Sequence, residues 1–206
     1  MTREAYKNIL QKYIPEKSFD LVYQLIIQHR VYLSITRERK TKHGDFRPSQ
    51  NGKPARITVN HNLNKYAFLI TFLHELAHQV TWNKYKHRVR PHGEEWKSNF
   101  SELLQPFIQN GSFPDEIATN LNKDANSLYF STVADTSLAR KLKNYDKNNG
   151  FVLLETLPEN STFMLENGNK YQKLNKRRIN YLCVNLQNHR RYIFNPLAEV
   201  IPFDTE

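Results

Sequence analysis

His74-Glu75-Leu76-Ala77-His78 is the stretch of this 206-residue chain whose residue types and spacing can do chemistry. Two histidines four apart lie on the same side of an α-helix, because a turn takes about 3.6 residues, so both imidazoles can reach one ion. Zinc suits that spacing, and it lowers the pKa of a bound water towards ~7, whose proton the carboxylate of Glu75 can take. A tetrahedral zinc needs a third protein ligand. His92, in Pro91-His92-Gly93, is the preferred candidate, since the intervening residues let the chain leave one helix, turn, and bring a histidine back at the start of another. Pro91 favours a turn there, and Gly93 has no side chain to crowd the metal. His87, Glu95 and Glu102 are the rivals: His87 sits in a basic run, and Glu102 would serve a zinc peptidase with a downstream glutamate.

The same pattern also arises by chance on surface helices, so its flanks decide. Phe68, Leu69, Ile70, Phe72, Leu73, Leu76, Ala77 and Val80 cover most of a helix circumference with apolar groups, which predicts a buried helix. Burying His74, Glu75 and His78 without partners would cost roughly 2–7 kcal/mol each, a cost that a metal removes for the histidines. Asn62 or Asn64 is the expected cap. Glu94, Glu95, Trp96, Phe100, Leu103, Leu104 and Phe107 predict a second helix, acidic in its first turn and apolar along one stripe, ended by Pro106 and Gly111.

Upstream, Arg3–Lys12 reads as a short amphipathic helix, and Ser18 as the cap of a second one with Leu21, Val22, Leu25 and Ile26 inward. Val31–Thr36 and Ile57–Asn60 read as strands of a hairpin or small antiparallel sheet beside the zinc helix, joined through a basic segment and the turn signal Gly44-Asp45. Such a strand at a sheet edge can hold an extended peptide by main-chain hydrogen bonds. Downstream, Pro114-Asp115-Glu116-Ile117 opens another helix and Thr136–Tyr145 a short one, closed by Asn148-Asn149-Gly150. The runs 151–154, 162–165, 170–174, 179–186 and 191–194 are strand-like and separated by turn residues. The expected fold class is α+β: a helical core with a small antiparallel sheet over residues 1–125, then a basic β-rich module over residues 126–206.

The formal charge is +10, which favours polyanionic partners. Lys84, Lys86, Arg88 and Arg90 alternate with Tyr85 and His87, a pattern that suits phosphate contacts and base stacking, although a solvated loop has the same composition. Lys170, Lys173, Lys176, Arg177, Arg178, Arg190 and Arg191 lie among Tyr171, Tyr181 and Tyr192, with no acidic residue from Asn167 to Asn195. These two groups are the candidate contacts for single-stranded or distorted DNA. The one cysteine, Cys183, can form neither an internal disulfide nor a zinc ribbon, and its Leu182 and Val184 neighbours predict a buried, inert thiol. No stretch has the length and apolarity of a membrane span, and the amino terminus lacks a secretion signal, so a cytoplasmic protein with no membrane partner is expected.

His74-Glu-Leu-Ala-His78, the spacing to Pro91-His92-Gly93, the following Glu95-Trp96-Lys97, and upstream Gly44-Asp45 and Ile57-Thr-Val-Asn60 resemble the SprT-like zinc metallopeptidases of the Spartan type. The resemblance implies one Zn2+ per chain on His74, His78 and His92, with Glu75 catalytic. It also implies a zincin-like metallopeptidase core and endopeptidase activity on proteins associated with DNA or crosslinked to it. The chain departs from many bacterial members in lacking the paired cysteines of their carboxyl-terminal zinc ribbon. A nucleic-acid-binding protein with a structural or vestigial metal site is the alternative, and a hydrolase of small amides a third.

Overall fold

The computed structural model describes residues 2–39, 41–50, 52–126, 136–147 and 150–203. They form an α+β protein of two compact units, Met1–Asp146 and Lys147–Glu206. Among the described residues no helix is long and apolar enough to cross a membrane.

The first unit is assembled around one helix. α1 (Arg3–Leu10) and α2 (Phe19–Gln28) precede β1 (Val31–Thr36), β2 (Gly44–Arg47) and β3 (Ala55–Asn60). α3 (Lys65–Tyr85) and α4 (Glu94–Gln109) follow, then α5 (Asp115–Asn126) and α6 (Thr136–Lys143). α3 starts at Asn64, whose side chain accepts from the Tyr66 and Ala67 amides at 3.1 and 2.9 Å. Phe68, Leu69, Phe72, Leu73, Leu76 and Ala77 are wholly buried at the centre of the core. Helical sequences elsewhere end where backbone chemistry requires. α4 closes in a Schellman arrangement, with Gly111 left-handed (φ 72°) and the Ser112 amide reaching back to the Phe107 carbonyl at 3.0 Å.

Four expectations need correction here. Ser18 occupies the N-cap position of α2 but its side chain makes no capping bond; its hydroxyl donates to the Pro15 carbonyl within a 3-10 turn, Glu16–Ser18. Pro106 does not end α4, because it lies exposed in the last turn, where the hydrogen bond it cannot make falls towards solvent. The sheet is mixed, in order β1-β3-β2: β1 runs parallel to β3, and the antiparallel partner is β2, whose polar Gly-Asp-Phe-Arg sequence carries little strand signal. The units divide at Asp146 and not at residue 125, because Leu138 and Leu142 of α6 are buried in the first core. Asn64 reinforces that placement by donating to the Leu142 carbonyl at 2.9 Å. Of the expected helix stop at Asn148-Asn149-Gly150, the two asparagines lie outside the described residues.

The second unit is an antiparallel sheet in the order β4-β9-β5-β6-β7-β8. Its strands are β4 (Val152–Leu153), β5 (Thr162–Met164), β6 (Lys170–Arg177), β7 (Asn180–Asn185), β8 (Arg191–Phe194) and β9 (Glu199–Pro202). The last of these is not evident in the sequence pattern, being short and ending in proline. Leu154, Phe163, Tyr171, Cys183 and Val200 form the core, and burial pushes the Cys183 thiol up to about 11, as fits an inert cysteine. Lys173 is 2% exposed, and its ammonium donates to the carbonyls of Leu154 (2.9 Å) and Leu157 and lies 3.9 Å from the centre of the Tyr181 ring. Strand alternation places it on the core face opposite Cys183, so it cannot be the nucleic-acid contact expected of it. Lys173→Ala should therefore destabilise the second unit by about 1–3 kcal/mol, since it leaves buried carbonyls unpaired. Faster backbone hydrogen exchange confined to residues 150–203 is the expected readout; unchanged exchange would contradict the assignment.

Candidate metal centre

Three imidazoles converge at the middle of α3. His74 and His78 project from successive turns, and His92 arrives from the segment before α4. The Nε2 of His74 stands 3.2 Å from that of His78 and 3.1 Å from that of His92. Nitrogens each ~2.0–2.1 Å from one tetrahedral ion stand about 3.3 Å apart, so the observed separations fit a single shared ion. Among the described residues this is the group of side chains that could hold a metal. The rivals lie elsewhere. His87 packs edge-on against Trp82 with centroids 4.3 Å apart, Glu95 approaches Gly93, and Glu102 is exposed and accepts from Ser98.

His92 reaches the site through a strained turn. The Gly93 amide donates to the Arg90 carbonyl at 3.0 Å, closing a four-residue turn with Pro91 second and His92 third, at φ 57°. That order is the pattern of a type II turn, which needs a left-handed residue in third place and normally uses glycine or asparagine. A histidine there costs about 1–3 kcal/mol of backbone strain, which a side chain needed for its direction can justify. Gly93 has a different reason from the one expected: a Cβ on it would meet the Arg90 carbonyl at 3.0 Å and the Glu95 carboxylate at 3.3 Å, inside the turn.

Burial holds the imidazoles neutral, the form that can coordinate. Desolvation, with His78 and His92 close by, brings His74 down to about 3, and desolvation with His92 brings His78 to about 4. Trp96, 1% exposed on α4, packs against all three rings, with centroids at 4.7, 5.3 and 4.7 Å from His74, His78 and His92. The register of α4 on α3 is set by a polar clamp one turn away: Asn99 donates to the Thr81 hydroxyl and accepts from the Lys84 ammonium, both at 2.8 Å.

Glu75 lies on the other flank, 9% exposed, facing β2. Desolvation and the nearby Asp45 carboxylate raise it to about 7, against the smaller opposing effects of Lys42, Arg39 and the Phe46 amide, which donates to it. Among the described residues no ion pair engages it. Gly44 permits this approach, because a Cβ there would stand 2.7 Å from Glu75 Oε1 and from Thr71 Cγ2. β2 is held in place by Arg39, which donates to Asn60 Oδ1 (2.8 Å) and the Thr58 hydroxyl (3.0 Å), while buried Asn60 donates to the Lys42 carbonyl at 2.9 Å. Neither Arg39 nor Asn60 stands out as a site residue in the sequence; their polar partners come from segments brought together only by the sheet.

The basic residues fall into several situations. Lys86, Arg88 and Arg90 are exposed between α3 and α4, whereas Lys84, also exposed, is engaged with Asn99. In the second unit Lys170, Lys176, Arg177, Arg178, Arg190 and Arg191 are exposed, and Lys173 is buried.

The pKa shifts predict how the metal-free protein responds to acid. Between pH 6.5 and about 4 the unfolded chain protonates His74 and His78 while the folded chain does not, so stability falls as pH falls. Glu75 acts oppositely between 4.5 and about 7, where the folded state holds the extra proton. Those two histidines against one glutamate leave about one net proton near pH 5.5, a slope on the order of 1 kcal/mol per pH unit, and the lowered His29, His43 and His92 add to it in the same direction. Denaturant melts of chelator-treated protein at pH 5 to 7 should show stability rising with pH, and a flat or inverted profile would contradict the burial described.

A family model described as the SprT-like family matches residues 6–115, slightly more than half of the chain. No curated protein and no solved structure matches. The matched span runs from within α1 to the first residue of α5, so it contains β2, all of α3, the His92 turn and α4. On that match, which takes in every residue gathered at the imidazole cluster, the chain belongs to the SprT-like family.

Proposed function

We propose that the protein is a zinc-dependent endopeptidase with a zincin-like core, acting on proteins associated with DNA or crosslinked to it. The observation that carries this reading is the pairing of a three-imidazole donor set with a buried glutamate raised to about 7 on the next residue of the same helix. Zinc held by His74, His78 and His92 would supply Lewis acidity, lowering the pKa of a coordinated water towards ~7 and polarising the peptide carbonyl. A set of three protein donors matches the pattern of catalytic zinc sites, whereas structural sites ordinarily supply four.

Glu75 takes the proton of the attacking water and returns it to the leaving amide nitrogen, a task suited to a carboxyl group that titrates near neutral pH. β2 holds the substrate: among the described residues it is an edge strand paired to β3 alone, and an extended peptide can add along its open side by main-chain hydrogen bonds. Gly44 keeps that strand close enough to Glu75 for the scissile bond and the base to meet. The exposed arginines and lysines of the second unit, with Lys86, Arg88 and Arg90, supply affinity for the DNA that carries the substrate. The same arginines would also serve a nucleic-acid-binding protein without catalysis, and the Glu75 variant separates the two.

Glu75→Gln should bind one zinc per chain and lose about 10²–10⁴-fold in cleavage rate, measured by metal analysis beside a peptide-cleavage assay. A variant that cleaves like wild type would remove Glu75 from the mechanism. Gly44→Ala should also keep zinc but lower kcat, because the new methyl group displaces the glutamate. With a protein bound to single-stranded DNA as substrate, cleavage should exceed that of the free protein and the excess should fall with salt. Equal cleavage with and without DNA would leave a peptidase but abolish the DNA reading.

A further inference from the structure

Trp96 carries a polar group into the core. It is 1% exposed, and its indole N–H is buried with no hydrogen-bond partner among the described residues. A phenylalanine would fill much of the same volume and bury no donor. What the wider indole adds is reach: its ring lies within 4.7, 5.3 and 4.7 Å, centroid to centroid, of His74, His78 and His92. Phe100 stacks on it at 5.1 Å and 9°, fixing its plane from within α4.

The second observation is on the histidines. An imidazole that ligates through Nε2 ordinarily donates its Nδ1–H to a carboxylate or carbonyl, which sets the ring's tautomer and direction. The Nδ1 of His74 is buried and has no such partner among the described residues. The ring instead packs against aromatic neighbours, Trp96 edge-to-face at 61° and Phe100 at 69°.

From these contacts we infer that Trp96 is the positioning residue of the metal centre, its indole replacing the polar outer partners that usually aim ligating histidines. The inference rests on the metal reading above. Packing against one rigid ring restricts the rotamers of three imidazoles at once, so the donor set is formed before the ion arrives and less ordering accompanies binding. A bound dication also makes the ring hydrogens more positive, which strengthens their attraction to neighbouring π electrons.

The test uses Co2+ as probe in the whole 206-residue chain, whose tryptophans are Trp82 and Trp96. In a Trp82→Phe background, Co2+ should quench the remaining indole emission and saturate at one equivalent. Trp96→Leu should weaken Co2+ affinity by about 10–100-fold in a chelator competition, the usual effect of losing an outer-shell partner. Trp96→Phe, which keeps an aromatic ring and protects the fold, should fall between the two and shift the cobalt d–d bands. Trp96→Phe and a folded Trp96→Leu that both bind with wild-type affinity and unchanged spectrum would overturn the inference while leaving the metal site intact. Co2+ bound at one equivalent without quenching would overturn it as well. Failure of wild type to bind Co2+ at all would defeat the metal reading, and this inference with it.

Discussion

A helix buried around most of its circumference has no solvent to offer its polar side chains, and α3 carries three ionisable ones at its centre. Each unpartnered group there would cost roughly 2–7 kcal/mol, comparable to the whole stability of a domain. The rest of the first unit supplies the partners. α4 and the turn before it bring His92 and Trp96 to the histidines, and β2 brings the Phe46 amide to Glu75. Burial itself does the remaining chemistry, by keeping the imidazoles unprotonated and lifting the carboxyl group towards neutrality.

The two sides of the helix are positioned by different means. On the histidine side the constraint is backbone strain: a non-glycine residue held left-handed at φ 57° because its side chain must point inward. On the glutamate side the constraint is the absence of a side chain, since any Cβ at Gly44 would overlap Glu75. Polar networks keep both arrangements from relaxing. Asn99, Thr81 and Lys84 set the register of the two helices, and Arg39 with Asn60 pins the segment leading into β2.

The second unit solves a stability problem with neither disulfide nor cysteine-based metal site. It has a small core of Leu154, Phe163, Tyr171, Cys183 and Val200, in which a lysine ammonium takes the carbonyls of the 3-10 turn Leu154–Thr156 and the residue after it. Removing Lys173 from the basic surface leaves an arginine-rich set at the hairpin tip and along β8, interleaved with exposed Ile179, Tyr192 and Ile193. Charge alone could not separate the structural lysine from the surface ones, because both occupy the same run of basic sequence.

Local pattern carried a great deal. The buried helix, its asparagine cap, the two histidines one turn apart and the glutamate between them follow from periodicity and residue type, as do α4 and most strands of the second unit. Sequence proximity also made His92 the preferred third donor, but Glu95, Glu102 and His87 satisfied the same spacing argument, and only the folded turn excludes them. Partners far apart in the chain were beyond such reasoning: the parallel pairing of β1 with β3, the insertion of β2 beside Glu75, the return of α6 to the first core, and the contact of one indole with three imidazoles. Periodicity reports which face of an element is apolar, whereas these features depend on which elements meet, and that is decided by packing across tens of residues.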